Sequence, residues 1–267
     1  MSDKKRIPMY ESILFSKTNG IAKITLNRPQ VYHALSAALM LEITAAMAEV
    51  ASDDQIRVLI ITGEGDKAFC SGADLKQTLE GGESAEQMLK AYYEPMIRSI
   101  RELPKPVICR LNGLAVGAGC SLALACDIIV AAEEAYLSLL FVQIGLMPDA
   151  GATYFLPRLI GLSRTFELAS TGRKIFAKEA EQIGLINKAV PAEELDSEVD
   201  KLANYYQTAP TLAIGAMKKV LNESSHSDLA RMQELERINQ QILFESHDAR
   251  EGISAFLQKR KPDFQGR

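Results

Sequence analysis

The sequence predicts an α/β protein in which a mostly parallel sheet is wound with helices and followed by a helical C-terminal region. Strand and helix patterns alternate along the first half in the order hairpin, helix, strand, helix, strand, helix, strand. Residues 57–62 and 127–132 are nearly continuous apolar runs, which is typical of parallel strands covered on both faces. Beyond residue 161 the pattern is almost wholly helical. We therefore expect right-handed crossovers between parallel strands.

Composition limits the class of protein and its partners. The chain has 267 residues, of which 47% are hydrophobic and 24% charged, as in ordinary globular domains. Its formal net charge of −4 argues against general nucleic-acid binding, so no nucleic-acid partner is expected. The first ten residues lack the apolar core of a signal peptide, and no apolar run has the length of a membrane span. We expect a cytoplasmic protein without membrane contact.

Four cysteines are present, at Cys70, Cys109, Cys120 and Cys126. They form neither a CxxC pair nor a metal-ligand spacing, and most of them lie in apolar sequence. We interpret them as reduced core residues and expect no metal site.

The first elements follow from turn and periodicity signals. Residues 12–15 and 21–26 flank an Asn-Gly pair, which predicts a β-hairpin. Residues 34–51 carry apolar side chains at helical spacing, and residues 57–62 predict a strand.

The middle of the chain begins with a short loop rich in small residues, at 68–76. Residues 76–86 contain two adjacent glycines and are expected to form a mobile loop. An amphipathic helix at 87–103 and a strand at 107–111 follow.

Residues 112–127 hold three glycines within eight positions and then turn into small and apolar residues. Glycine permits tight turns and close backbone approach. A helix that starts there presents unpaired N–H groups and the positive end of its dipole, which suits a developing negative charge. A tightly packed strand–helix crossover without chemistry fits this stretch equally well.

The C-terminal part is predicted to consist of five helical segments, with an interruption near His247 in the last: 163–170, 178–183, 192–208, 212–222 and 228–258. This tail could fold back on the core or pack on a neighbouring subunit. The residues alone leave both arrangements open.

Several motifs in the same order resemble those of the enoyl-CoA hydratase/isomerase (crotonase) superfamily, over nearly the whole chain. They lie at residues 24–29, 68–75, 105–127, 144–151 and 255–264. The resemblance implies a crotonase-like spiral of ββα units over residues 1–195 and a C-terminal helical trimerisation region over residues 196–267. It also implies a homotrimer or a dimer of trimers, an acyl-CoA thioester as substrate, and no cofactor besides the coenzyme A of that substrate.

The resemblance further implies that the backbone N–H groups of Ala73 and Ala118 form an oxyanion hole. Removing a proton next to a thioester builds negative charge on the thioester oxygen, and two fixed donors in a dry site stabilise it. Backbone donors need small neighbours, which Ser71 and Gly117 provide.

Hydratases of this superfamily add water with two glutamates, and this chain has Ser121 and Phe141 at those positions. Neither side chain can move a proton at neutral pH. Asp149 remains as the best proton carrier. Its segment is similar to those of isomerases that use one carboxylate, such as the epoxyphenylacetyl-CoA and Δ3,Δ2-enoyl-CoA isomerases.

Asp149 is expected to have a raised pKa because the apolar residues Phe141, Leu146 and Met147 lie nearby and would form an apolar pocket around it. The alternative is that Asp149 only caps a helix that begins near Ala150.

The residues expected to bind the acyl-CoA, by the resemblance, are Arg28, Ala68, Ser71, Ala73, Asp74, Leu75, Lys76, Gly117, Ala118, Ser121, Phe141, Phe256 and Lys259. Several have plainer interpretations. Asp74 could stabilise a turn, and isolated lysines and arginines are usually solvated. Asp127 and the three histidines are interpreted as structural.

Three functions therefore remain open. The favoured one is an acyl-CoA isomerase that shifts a double bond with Asp149 as proton shuttle. An enoyl-CoA hydratase with a non-standard acid/base set is the second, with one of the loop residues Glu80, Glu83 or Glu86 as partner. The third is an acyl-CoA-binding protein with little catalysis.

Overall fold

A computed structural model of the chain describes residues 10–267. The expected absence of a signal peptide falls largely on residues 1–9, outside the described residues. The strands are β1 (Ile13–Thr18), β2 (Ile21–Leu26), β3 (Val58–Gly63), β4 (Ala68–Cys70), β5 (Val107–Leu111), β6 (Leu114–Val116), β7 (Ile128–Ala132), β8 (Tyr136–Ser138), β9 (Ile175–Phe176) and β10 (Lys188–Val190). The helices are α1 (Ala37–Ser52), α2 (Leu75–Glu80), α3 (Ala85–Met88), α4 (Glu94–Glu102), α5 (Ala118–Leu124), α6 (Ala152–Thr171), α7 (Ala177–Gln182), α8 (Leu195–Gln207), α9 (Thr211–Glu223), α10 (Leu229–Phe244) and α11 (His247–Leu257).

Among the described residues the larger sheet has six strands in the order β1-β2-β3-β5-β7-β10. The β1–β2 hairpin is antiparallel, and every later pair in this sheet is parallel. Asn19 and Gly20 both have positive φ, of 50° and 77°, as a tight hairpin turn requires. The predicted hairpin and the parallel winding are both confirmed.

A second sheet has the order β4-β6-β8-β9 in the described part of the chain. Its strands β4, β6 and β8 each follow one strand of the larger sheet and pair in parallel. This repetition of two strands and a helix confirms the expected spiral of ββα units. The sequence did not predict the second sheet because strands of three residues are too short to show an alternating pattern.

The segment expected to be a mobile loop at 76–86 contains helical structure instead. Helix α2 starts after Asp74, whose side chain accepts a hydrogen bond from the Gln77 N–H at 3.3 Å. Helix α3 starts after Ser84, which forms a capping box with Gln87. The two glycines mark only the gap between two helices, and the capping residues on either side were the better signal.

Elsewhere the helices agree with the prediction within three residues or differ from it by whole turns. The helix expected at 87–103 is a continuous run from α3 to α4 that includes a π-helical segment, Leu89–Tyr93. The helix expected at 163–170 begins at Ala152, and Gly161 with a φ of 78° breaks it. Helices α10 and α11 divide the predicted 228–258 segment near His247, as expected.

The C-terminal helices differ in how they pack. Helix α8 folds back on β3, β5 and β7 of the larger sheet and buries Leu195, Val199 and Ala203. Helix α10 has no buried residue in the described chain, although it is 16 residues long. No helix among residues 10–267 is long and apolar enough to cross a bilayer. No group of three potential metal-ligating side chains that could hold a metal ion occurs within the same residues.

A buried ion pair fastens α9 to the core. Lys218 donates hydrogen bonds to Asp127 Oδ2 at 2.7 Å and to the Ile100 carbonyl at 2.8 Å. Asp127 also pairs with Arg101, at 3.3 Å, and accepts from the Val107 N–H. Asp127 is therefore structural, as interpreted from the sequence.

Replacing Lys218 should destabilise the protein strongly. Lys218→Met leaves the Ile100 carbonyl without this donor and Asp127 with one fewer cation. Breaking one side of a buried pair costs about 3 kcal/mol in free energy of unfolding. The neighbouring Lys219 is exposed, so Lys219→Met should change stability by less than about 0.5 kcal/mol. Urea unfolding of both variants measures the difference, and equal stabilities would contradict the role of Lys218.

Candidate active site

The backbone of Ala73 is held so that its N–H group points away from the segment around Leu35, with which Ala73 pairs. Ala73 forms an isolated parallel bridge with Leu35. The bonds of this bridge run from the Leu35 N–H to the Gly72 carbonyl at 2.7 Å and from the Asp74 N–H to the Leu35 carbonyl at 3.0 Å. These bonds use the residues on either side of Ala73. Its own N–H donates to no residue in the described range 10–267.

Ala118 is the first residue of α5, directly after the end of β6. The first N–H groups of a helix have no partner within the helix. The Ala118 N–H likewise donates to no residue of the described chain. Gly117 before it has φ 54° and ψ −128°, a conformation that an L side chain rarely adopts, and this glycine sets the direction in which α5 starts.

The two alanines lie on segments that touch. Gly72 has a φ of 93°, and a Cβ placed on it would lie 2.7 Å from the Val116 carbonyl oxygen and 3.3 Å from the Ala118 nitrogen. Only glycine permits that approach. The ends of β4 and β6 therefore bring the segments of Ala73 and Ala118 together at one corner of the smaller sheet.

Asp149 stands at the start of a turn before α6. Its carbonyl accepts from the Ala152 N–H at 3.0 Å, and Ala150 and Gly151 between them have φ of 48° and 85°. Positive φ at both central residues is the pattern of a type I′ turn. The helix is capped by Gly151, without a side-chain hydrogen bond. The alternative that Asp149 caps this helix through its side chain is therefore wrong.

The Asp149 side chain is half-buried, and its buried carboxyl oxygen is poorly satisfied. Its Oδ1 atom has no hydrogen-bond partner among residues 10–267. Burial raises the pKa of Asp149 to about 6, because the charged form loses its hydration there. The expectation of a raised pKa is confirmed. Of the apolar side chains expected around it, Phe141 is buried, whereas Leu146 and Met147 are 57% and 71% exposed in the single chain.

Tyr93 is a site residue that the sequence did not indicate. It closes the π-helical segment, a feature often found at functional sites, and is 4% exposed. Burial raises the pKa of Tyr93, and the nearby carboxylate of Asp149 raises it further. Cys70, which also lies near the ring, is at the start of the Ala73 segment, so the ring is close to both parts of the site. A tyrosine within an amphipathic helix gives no sequence signal of this kind.

Ser121 and Phe141 occupy the two positions at which the family resemblance would place the glutamates of a hydratase. Ser121 is fully buried in α5, and its hydroxyl donates to the Asp149 carbonyl at 2.9 Å. Phe141 is also buried, with its ring end 3.9 Å from the position of a Cβ on Gly117. Asp149 is therefore the carboxyl group that these segments offer to a substrate.

Arg28 and Asp74 form an ion pair at 2.8 Å beneath the Ala73 segment. Arg28 also donates to the Ala34 carbonyl, and Asp74 caps α2. His33 supports the same region: its Nδ1 accepts from the Arg28 N–H, and its Nε2 lies 3.1 Å from the Glu64 carbonyl. Burial lowers the pKa of His33, which keeps its ring neutral. These groups fix the loop that carries Ala73.

The other candidates are distributed around this centre. Ala68 is buried in β4, and Ser71 donates to the Val31 carbonyl at 3.0 Å. Four exposed side chains lie elsewhere on the surface: Leu75 and Lys76 at the start of α2, and Phe256 and Lys259 at the end of α11. Phe256 is 84% exposed, and within residues 10–267 neither side chain at the end of α11 forms a hydrogen bond.

The acidic residues of the 76–86 segment lie on the surface. Glu80, Glu83 and Glu86 are all exposed. Glu83 accepts a hydrogen bond from the Tyr92 hydroxyl at 3.2 Å. The structure therefore gives no buried partner carboxylate to Asp149 from this segment.

A cleft of about 1150 Å³ is lined in part by Gly151, which follows Asp149 by two residues in the sequence. It runs between α4, the start of α6 and the C-terminal helices α9 and α10. Its lining includes neither Ala73, Ala118 nor Asp149. This cleft is therefore adjacent to the candidate site and separate from it.

Comparison with known proteins agrees with this geometry. The family model described as enoyl-CoA hydratase/isomerase matches residues 16–267. A probable enoyl-CoA hydratase of Rhodobacter capsulatus is 41% identical over 97% of this chain and 99% of its own length. The 1,2-epoxyphenylacetyl-CoA isomerase of Escherichia coli is 37% identical over 97% of this chain and 100% of its own.

Solved structures agree as well. An enoyl-CoA hydratase from Bacillus anthracis superposes with a TM-score of 0.89 at 35% identity, covering 96% of this chain and 100% of that one. A putative enoyl-CoA hydratase from Streptomyces coelicolor gives a TM-score of 0.92 at 33% identity, covering 100% and 98%. Sequence, spiral fold and the paired N–H donors agree, and the chain belongs to the enoyl-CoA hydratase/isomerase (crotonase) family of enzymes.

Proposed function

We propose that this enzyme is an acyl-CoA isomerase that shifts a double bond through a thioester enolate, with Asp149 as proton shuttle. The observation that carries the proposal is the half-buried carboxyl group of Asp149, whose Oδ1 atom has no partner in residues 10–267 and whose pKa is raised to about 6. The main chain of Asp149 is joined through Ser121 to the helix that carries Ala118, one of the two donors of the proposed oxyanion hole. At neutral pH a carboxyl group with this pKa is ionised, yet it is a stronger base than an ordinary aspartate.

In the proposed reaction the Asp149 carboxylate removes a proton from a carbon activated by the thioester. The electron pair moves onto the thioester oxygen, which the Ala73 and Ala118 N–H groups stabilise. One such donor contributes about 2.7–4 kcal/mol in measured enzymes. The carboxylic acid then returns the proton to a different carbon. One carboxylate suffices because no water is activated, and we propose that no cofactor besides coenzyme A takes part.

The relatives support two reactions. The Escherichia coli relative named 1,2-epoxyphenylacetyl-CoA isomerase favours the proposed one. A crotonyl-CoA hydratase of Syntrophomonas wolfei, 39% identical, favours hydration as the second candidate. Ser121 and Phe141 weigh against hydration because neither can activate water or protonate the adjacent carbon.

We further propose that the active enzyme is a homotrimer or a dimer of trimers. Helices α9, α10 and α11 present large apolar side chains to solvent, among them Met217, Ile242, Phe244 and Phe256. Apolar surface on a helix without buried residues indicates a missing partner. We propose that Phe256 and Lys259 of one subunit contact the coenzyme A bound to its neighbour, while Leu75 and Lys76 contact it from the same subunit.

Asp149→Asn should abolish isomerisation and keep substrate binding. Asparagine has the shape of aspartate but cannot accept the proton, and loss of general base catalysis costs about 10²–10⁴ in rate. The absorbance of the conjugated product formed from a 3-enoyl-CoA measures kcat. Calorimetry with an acyl-CoA should give a dissociation constant within about threefold of the original, a margin below 1 kcal/mol.

Glu83→Gln is the matched control, since Glu83 is an exposed carboxylate on the neighbouring segment, and it should keep the full rate. A fully active Asp149→Asn enzyme would disprove the mechanism. Loss of the conjugated absorbance of crotonyl-CoA in water, faster than isomerisation, would establish the hydratase instead. Binding without any turnover would show a binding protein.

The buried carboxyl should make stability depend on pH. An aspartate in an unfolded chain has a pKa of about 3.9, and the pKa of Asp149 is about 6 in the folded chain. Between these values the folded state holds a proton that the unfolded state has released. Stability from this group is therefore present at acid pH and lost as pH rises through about 6. Asp149→Asn should raise the melting temperature at pH 7.5 and leave it nearly unchanged at pH 4, by calorimetry.

Sedimentation should show the proposed assembly. A single chain has a mass of 29.3 kDa, so a trimer or a hexamer should sediment at three or six times that mass. The apolar side chains of α10 make a monomer unfavourable in water. A monomer at micromolar concentration with full activity would contradict the proposal.

A further inference from the structure

We propose that Ser121 is a positioning residue, whose hydroxyl holds Asp149 at the place from which it transfers protons. The inference rests on the proposed function of Asp149. The observation behind it is the hydrogen bond from the Ser121 hydroxyl to the Asp149 carbonyl, at 2.9 Å. Ser121 itself is fully buried and has no surface for a ligand to contact.

The bond starts from the same helix that carries the oxyanion donor. Ala118 and Ser121 are three residues apart on α5, so their side chains lie on one face of it. All seven residues of α5 are buried, and Gly119 packs directly against Cys70. One rigid helix thereby sets the position of an oxyanion donor and of the main chain of Asp149. In this way Ser121 fixes the distance between Ala118, whose N–H group would stabilise the oxyanion, and Asp149, which would carry the proton.

The turn that carries Asp149 needs such support. Ala150 adopts a φ of 48°, a left-handed conformation that is unfavourable for an L-amino acid. The Asp149 carboxyl group does not anchor this turn through Oδ1, because that atom has no hydrogen-bond partner in residues 10–267. Over the same residues, the only other hydrogen bond at Asp149 is local, from the Ala152 N–H. Ser121 supplies the bond that ties Asp149 to another element.

A buried serine also needs a partner for its hydroxyl wherever it lies. A purely structural role would lower stability and leave catalysis alone. A positioning role lowers kcat instead, since displacement of a reacting group by about 1 Å can cost about 10²-fold in rate. The two roles therefore predict different measurements.

Ser121→Ala is the variant that separates them, and Ser138→Ala is its matched control. Ser138 is also fully buried, and its hydroxyl donates to a main-chain carbonyl, that of Gly172, at 2.7 Å. Each variant loses one buried hydrogen bond from a serine hydroxyl to a main-chain carbonyl, so the two should be destabilised to a similar extent. We expect Ser121→Ala to lower kcat on a 3-enoyl-CoA by about 10- to 100-fold, with KM within about threefold. Ser138→Ala should keep kcat within about twofold at a similar melting temperature.

The double variant Ser121→Ala/Asp149→Asn gives the decisive readout. If Ser121 acts only through Asp149, adding Ser121→Ala to the Asp149→Asn enzyme should not lower its residual rate further. Full kcat in Ser121→Ala, equal kcat losses in Ser121→Ala and Ser138→Ala, or an additive loss in the double variant would each overturn the inference. Those results leave the role of Asp149 intact, whereas a fully active Asp149→Asn enzyme would remove the proposed function itself.

Discussion

The close approach of Gly72 to the end of β6 is the constraint on which the site depends. With a side chain at Gly72, the Val116 carbonyl and the Ala118 nitrogen would have to move. Two parallel three-residue strands would then separate, and the segments of Ala73 and Ala118 would lose their close contact. The ion pair of Arg28 with Asp74 secures this arrangement from outside the sheet.

Charges buried elsewhere in the protein are satisfied, and this makes Asp149 distinctive. Lys218 meets Asp127 and two carbonyl groups. Lys105 donates to the Val50 and Asp53 carbonyls at the end of α1, where a helix dipole favours a cation. Asp149 alone among these three buries a carboxyl oxygen without a partner in residues 10–267. Such a group is costly to keep, which is the usual sign of a functional site.

The sequence predicted much of this arrangement because its signals are local. The hairpin around Asn19-Gly20, the parallel strands and the segments around Ala73 and Ala118 all follow from short motifs. What it missed depends on tertiary packing. The burial of Tyr93 and the exposure of Leu146 and Met147 depend on how distant parts of the chain pack. The bond from Ser121 to the Asp149 carbonyl likewise joins residues that are far apart in the sequence. The three-residue strands of the second sheet were missed for a different reason, because they are too short to show an alternating pattern of apolar and polar residues.

The connections that complete the larger sheet have a consequence for how the chain folds. Strand β10 pairs with β7, although α6, β9 and α7 lie between them in sequence. Arg57 lies immediately before β3. Its side chain donates hydrogen bonds to the Thr211 hydroxyl and the Ala209 carbonyl, which lie 154 and 152 positions later in the sequence. Pairings of such separation form slowly, because the entropy of closing the intervening loop is lost first. During synthesis this edge of β7 stays unpaired until the chain has been made as far as β10, at Lys188–Val190. An unpaired strand edge of this kind favours aggregation of the incompletely folded chain.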